Sequence, residues 1–295
     1  MNEKTREILK KIRRIEIRTK RIVNSVFSGE YHSSFKGRGM EFDEVRSYEY
    51  GDDVRDIDWN VSARMNAPYI KRYREERELT SMILFDASAS NEFGSTGVLK
   101  GEAAAEIAAL LAFAAVRNND KVGLVVFTGQ IEKYIPPKKG RIHALRIIRE
   151  ILFFQTVSKK TDIGMVIDFL NRVQRKRGVV FLISDMLSEN FSLPLKLAGR
   201  RHDFTAIKIT DPREMSFPDI GLIELEDAET QNAMIIDTSD AVFLKRYTSA
   251  NRQFRDELEK IFKRHAIGYV NLNLGENYFD ALVRFFRKKA KKVWA

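Results

Sequence analysis

The chain has 295 residues, 44% of them apolar and 31% charged, and a formal net charge of +10. That is length enough to bury a domain-sized core, and no segment approaches the roughly 20 unbroken apolar residues of a bilayer span. Cysteine is absent, which excludes disulfides, thiolate metal sites and a cysteine nucleophile; with no signal-peptide pattern at the start, the expected location is the cytoplasm.

In chain order, residues 4–27 predict a basic amphipathic helix, with Ile8, Ile12, Ile15, Ile22 and Val26 near helical spacing. Its basic residues, like those of the final "FFRKKAKKVWA", suit nucleic acid, anionic lipid, an acidic protein or simply solvent. The isoleucine stripe needs an apolar neighbour, so packing on the body is the expectation. The next stretch, rich in glycine and charge, predicts ordered loops and short strands, because Phe35, Phe42, Tyr48, Trp59 and Tyr69 give it something to bury. Within it lies "GDDVRDIDW". One reading makes Asp52, Asp53, Arg55, Asp56 and Asp58 a second polar site or partner surface. The expected reading is a structural network, with Arg55 and Arg64 pairing these carboxylates and Trp59 packed below.

After Leu79 the pattern changes. The short apolar runs "SMILFD", "KVGLVVF", "GVVFLISD", "FTAIKI" and "GYVNLNL" are nearly continuous, as parallel strands covered on both faces are. Helical patterns separate them: the alanine-rich "KGEAAAEIAALLAFAAVRN", then "RIHALRIIREILFF" and "IGMVIDFLNRVQRK". "IGLIELEDAETQNAMIIDT" predicts a hairpin near 221–237, followed by a helix over about 240–266 and a basic terminal helix. The fold class is therefore α/β, a doubly wound, mainly parallel sheet. The division is an N-terminal part over 1–78 and the α/β domain over 79–295.

Several chemistries lack their motifs. There is no phosphate-binding loop of the Gly-x-x-x-x-Gly-Lys-Ser/Thr kind, no Gly-x-Gly-x-x-Gly after a strand and no Gly-x-Ser-x-Gly elbow. His32, His143, His202 and His265 are scattered and read as ordinary histidines, so a zinc hydrolase is unsupported.

The strand "SMILFD" ends in Asp86, and Ser88 and Ser90 follow at alternate positions. A second strand ends in Ser184-Asp185, and Thr161-Asp162 precedes a helix. Ligands of open α/β sheets bind beyond the carboxyl ends of the strands, so these oxygens can meet at one rim. Hard oxygen donors suit Mg²⁺, with Mn²⁺ or Ca²⁺ as alternatives.

Asp86-x-Ser88-x-Ser90, Thr161 and Asp185 together resemble the metal-ion-dependent adhesion site of von Willebrand factor type A domains. The preceding "RSYEYGDDVRDIDWNVSARMNAPYIKRYREERE" resembles the signature of the bacterial family called domain of unknown function 58. The resemblance spans roughly residues 30–240. It implies a sheet of order 3-2-1-4-5-6 with helices on both faces and a binding role, often beside MoxR-type AAA+ ATPases, with no established catalytic activity. Some members carry N-terminal membrane spans, and this chain reads as the soluble kind. By position, Asp86, Ser88 and Ser90 match the first metal loop, Thr161 the second and Asp185 the third; whether Thr161 or Asp162 faces the ion stays open. The expected function is a metal-dependent protein-binding module, an adaptor or co-chaperone whose ATPase partner donates an acidic side chain to the metal. The alternatives are a Mg²⁺-dependent phosphodiesterase or nuclease using Asp86 and Asp185, and a peripheral membrane protein docked by its basic ends. Nucleic acid is not the favoured partner.

Overall fold

The computed structural model describes residues 40–75, 79–154, 160–226 and 232–293, with single positions 13, 15–17, 19, 22, 29, 31, 35, 156 and 158. Ile8, Ile12, Val26 and His32 lie outside the described residues, as does the side chain of Phe42.

The first elements form a small unit of their own. β1 (Met40–Ser47) pairs antiparallel with β2 (Tyr69–Glu75), and α1 (Trp59–Met65) lies between them in the chain. The carboxylates of "GDDVRDIDW" serve local backbone. Asp53 accepts from the Arg55 N–H, and Asp58 caps α1 by accepting from the N–H groups of Asn60 and Val61. Such caps satisfy amides that a helix start leaves orphaned. Asp52 pairs with Arg46 at 2.7 Å and Asp58 with Lys71 at 3.6 Å. The expected network is thus corrected in two respects. Arg46 and Lys71 supply its cations, while Arg55 and Arg64 are exposed, and among the described residues Arg55 reaches only Asp53. Trp59 does not pack below it but stands 68% exposed, near the helix start rather than under the carboxylates.

The apolar runs become one sheet in the order β10-β7-β6-β3-β4-β5. Its strands are β3 (Thr80–Asp86), β4 (Lys121–Phe127), β5 (Ile131–Lys138), β6 (Val179–Ser184), β7 (Asp203–Thr210) and β10 (Gly268–Asn273). Numbered from β3, that is the order 3-2-1-4-5-6, parallel except for β5. β5 was not among the expected strands. Pro136 and Pro137 break its pattern, and an edge position tolerates them because one side of the strand needs no amide donors.

Alternation along each strand fills two apolar layers. On one face Ile83, Phe85, Leu124 and Phe181 meet α2 (Lys100–Arg117), α3 (Arg141–Phe153) and α8 (Tyr278–Val293). On the other Met82, Leu84, Val125 and Leu182 meet α4 (Ile163–Val173), α5 (Ser192–Arg201) and α7 (Ala241–Arg264). A run of buried alanines lets α2 lie close on the sheet. Tyr31 and Phe35, from before β1, insert into the first layer against Phe181 and Phe286. Ile15 is buried against Ala109 and Ile148, so the described part of the N-terminal segment packs on the body. β8 (Leu222–Glu226) and β9 (Ala233–Asp237) form the antiparallel hairpin, preceded by the short α6 (Pro212–Met215).

The chain leaves β3 for β4 on one side and β6 for β7 on the other. The strand order therefore reverses between β3 and β6, which puts the crevice of an open α/β sheet at their carboxyl ends. No described helix is long and apolar enough to cross a membrane.

Candidate functional site

Asp86 is the last residue of β3 and Asp185 directly follows β6, so the reversal point sets two carboxylates side by side. Both are buried. One Asp86 oxygen accepts from the Ser88 N–H at 2.9 Å, and the other from the Ser184 hydroxyl at 2.6 Å. Burial, and then the charge of Asp185, push the Asp86 carboxyl up to about 6, against the pull of those hydrogen bonds. The Ser88 and Ser90 hydroxyl oxygens lie 3.1 Å apart, and Ser90 hydrogen-bonds Asp185. Four of the five expected residues are thus one connected cluster.

Thr161 is held nearby by its backbone neighbours. The Asp162 N–H donates to the Thr128 carbonyl just past β4 at 3.1 Å. The Ile163 N–H donates to the Ser188 hydroxyl just past β6, also at 3.1 Å. The start of α4 is therefore stitched to the rim from both sides of β3. Asp162 caps α4, accepting from the Met165 N–H at 2.8 Å. Its carboxylate is committed to its own helix, which leaves Thr161, half-buried and making no hydrogen bond to a described residue, as the hydroxyl facing other work.

Sequence reasoning missed the cation at this site. Lys100, the first residue of α2, is 1% exposed, and its ammonium donates to Asp185 at 3.1 Å and Glu214 at 2.6 Å. Burial works against its charge, but the two carboxylates outweigh burial and raise its pKa above the ordinary lysine value. Burial likewise opposes ionisation of Asp185, yet Lys100 and the hydrogen bonds from Ser90 and the Leu187 N–H hold its carboxyl below the usual range. A signal was there to read: a lysine opening an alanine-rich helix sits at the positive end of the helix dipole. It needs nearby carboxylates to be stable there.

The loop between β3 and α2 is pinned by side chains. Asn91 donates to the Asp86 carbonyl at 2.6 Å, and Asp211 accepts from the Ser95 N–H at 2.7 Å and its hydroxyl at 2.5 Å. Gly94 is required here, since a Cβ would lie 2.3 Å from the Val98 carbonyl oxygen. Beside the rim an open groove of about 1800 Å³ runs between α4 and α5, with Thr161, Ser188, Leu187 and Leu197 on its walls and Arg172 and Arg200 toward its far end.

The donor set fits a divalent cation of the oxygen-seeking kind. It offers two neighbouring carboxylates and two adjacent hydroxyls, and a cation would offset the burial, and then the Asp185 charge, that lift the Asp86 pKa. Among the described residues no group of three or more His, Asp or Glu side chains is placed to hold a metal. Such an ion would remain under-neutralised.

A family model described as "Protein of unknown function DUF58" matches residues 44–257. An uncharacterized protein of Mycobacterium tuberculosis is 28% identical over 288 residues, 96% of this chain and 90% of its own. An uncharacterized protein of Mycobacterium avium is 29% identical over 164 residues, 55% of this chain and 96% of its own. Among solved structures, the conserved hypothetical protein BatB from Bacteroides thetaiotaomicron is similar at 19% identity and TM-score 0.49, over 72% of this chain and 99% of that one. The SpRpn10 VWA domain is similar at 12% identity and TM-score 0.40, over 70% and 93%.

Proposed function

The chain belongs to the DUF58 family, and from that premise we propose that it is a protein-interaction module of von Willebrand factor type A-like fold that grips its partner through a divalent cation at the β3/β6 rim. The observation that carries this reading is the cluster of Asp86, Ser88, Ser90 and Asp185 at the reversal point of the sheet. Asp86, Ser88, Ser90 and Asp185 would hold the ion, with Thr161 from the start of α4, and Asp185 would keep its pairing with Lys100. When bound, Mg²⁺ or a similar ion supplies an open coordination position that an acidic side chain of another protein can fill. The groove between α4 and α5 gives the rest of that partner a surface to lie on.

The partner class we propose is a MoxR-type AAA+ ATPase, with this chain as its adaptor or co-chaperone. No nucleotide-binding loop is present in the sequence, so a device needing ATP must find it in a second protein. A pull-down with such an ATPase, in Mg²⁺ and in EDTA, tests the reading. Retention in Mg²⁺ should fall about a hundredfold in affinity on chelation or with Asp86→Ala. Association indifferent to both would place the interface elsewhere. A phosphodiesterase or nuclease reading has less support, because two-metal hydrolysis rests on more converging carboxylates than Asp86 and Asp185 provide.

A further inference from the structure

Behind the rim, on the side of α7, lies a second and smaller cavity of about 140 Å³. Two half-buried cations line it: Lys208 from β7, level with Ser184 on one neighbouring strand and Asn271 on the other, and Arg255 from α7. Among the described residues, neither has a carboxylate oxygen within ion-pair distance or a hydrogen-bond partner. The Lys208 ammonium lies only over the Phe254 ring, 4.7 Å from its centre. Cations taken this far from water are ordinarily paired.

Carboxylates do reach the same cavity, but they are already engaged. Asp185 and Glu214 both face it, and both are bound by Lys100 from the other side. The two carboxylates that line the cavity are therefore held by Lys100, not by Lys208 or Arg255. The neutral lining groups are largely engaged as well, the Asn271 amide by Asn273 at 3.0 Å. Tyr247 and Asn251 both donate to the Glu214 carbonyl, at 2.9 and 2.7 Å, and Thr210 donates to Asn271 at 2.7 Å. The charged donors that line the space are the Lys208 ammonium and the Arg255 guanidinium. Burial also presses the Lys208 pKa below the ordinary lysine value, which a bound anion would reverse.

We propose that this cavity is a binding site for a small oxyanion of the size of inorganic phosphate, held between Lys208 and Arg255. At about 30 Å³ per water, the space equals roughly four or five waters. That admits a phosphate or sulfate and is too small to enclose a nucleotide. Guanidinium and ammonium together are the donors such an anion takes.

Calorimetric titration of inorganic phosphate into the full chain tests the site, in EDTA and at constant ionic strength. EDTA keeps the outcome independent of the cation reading, which stands or falls separately. Wild type should bind phosphate saturably, with sulfate competing and chloride not. Lys208→Met and Arg255→Met should each weaken binding tenfold or more, while Arg252→Met, exposed on the same helix, should leave it unchanged. Without phosphate, Lys208→Met should be at least as stable to urea as wild type, because it removes a half-buried charge that has no ion pair among the described residues, and phosphate should stabilise wild type but not Lys208→Met. Absence of saturable binding, undiminished binding by both cavity variants, or a Lys208→Met chain destabilised without phosphate would each overturn the proposal. The last result would show that the ammonium has its partner inside the fold.

Discussion

Lys100 joins three segments that are remote in sequence: the start of α2, the end of β6 and the short α6. Lys100→Met would keep most of the side-chain volume but leave Asp185 without its buried counter-charge. The expected cost is about 3–5 kcal/mol, read as a lower urea midpoint with an unchanged slope. His202 presents the opposite case. It ends α5, is buried, and neither ring nitrogen has a hydrogen-bond partner among the described residues. Burial, followed by the charges of Arg201 and Arg177, lowers its pKa to about 4. The unfolded imidazole takes a proton below its ordinary value near 6.5, whereas the folded one does so only near 4. Stability contributed at this position is therefore whole above pH 6.5 and lost as pH falls toward 4, up to about 3 kcal/mol. Urea midpoints measured across that window should decline for wild type and flatten for His202→Leu.

Among the elements, the sequence hid α5 and β5, besides the short α1 and α6, of which α1 stands where loops and short strands were expected. α5 reads "SLPLKLAGRR", with a proline and a glycine inside ten residues. Pro194 is tolerated because it falls in the first turn, where no intrahelical donor is lost. Gly199 is there for contact: a Cβ would come within 2.6 Å of Ile267 and 2.9 Å of the His265 carbonyl oxygen. Helix propensity favours alanine over glycine by about 1 kcal/mol, yet Gly199→Ala should destabilise by about 1–3 kcal/mol as α5 is pushed from its neighbours. Thermal unfolding would show the sign at once, a rise in midpoint meaning that the helix has slack. The other main strands were legible because burial on both faces demands near-continuous apolar runs, which survive in sequence whatever the topology. The strand order was not readable from such runs; it came with the family resemblance. At the rim, Asp86, Ser88 and Ser90 were legible as one local pattern. Lys100 and Glu214 were not, since 114 residues separate them and only the fold brings them to one ion pair.

Across the whole molecule, with its net charge of +10, some basic residues do structural work. In the basic terminal helix, Lys289 donates to Asp203 at 2.5 Å and to Thr205 at 3.0 Å, and lies over the Phe35 ring at 4.4 Å. Arg141, at the start of α3, reaches back to Glu16. The charged ends thus spend some of their basic residues, and the acidic ones facing them, on holding the termini to the sheet.

Trp59 carries an optical consequence. It is one of two tryptophans in the chain, and it stands 68% exposed in the small β1/β2 unit, away from both apolar layers of the large sheet. Its indole should emit as a hydrated fluorophore and be readily quenched by iodide. Trp59→Phe should remove that quenchable component while leaving the circular dichroism melt nearly unchanged. If the component proves blue-shifted and shielded from iodide, the block around Trp59 is covered in solution. The emission of Trp59 is therefore a local gauge of the family's signature segment, and loss of the main core has to be followed by a different signal.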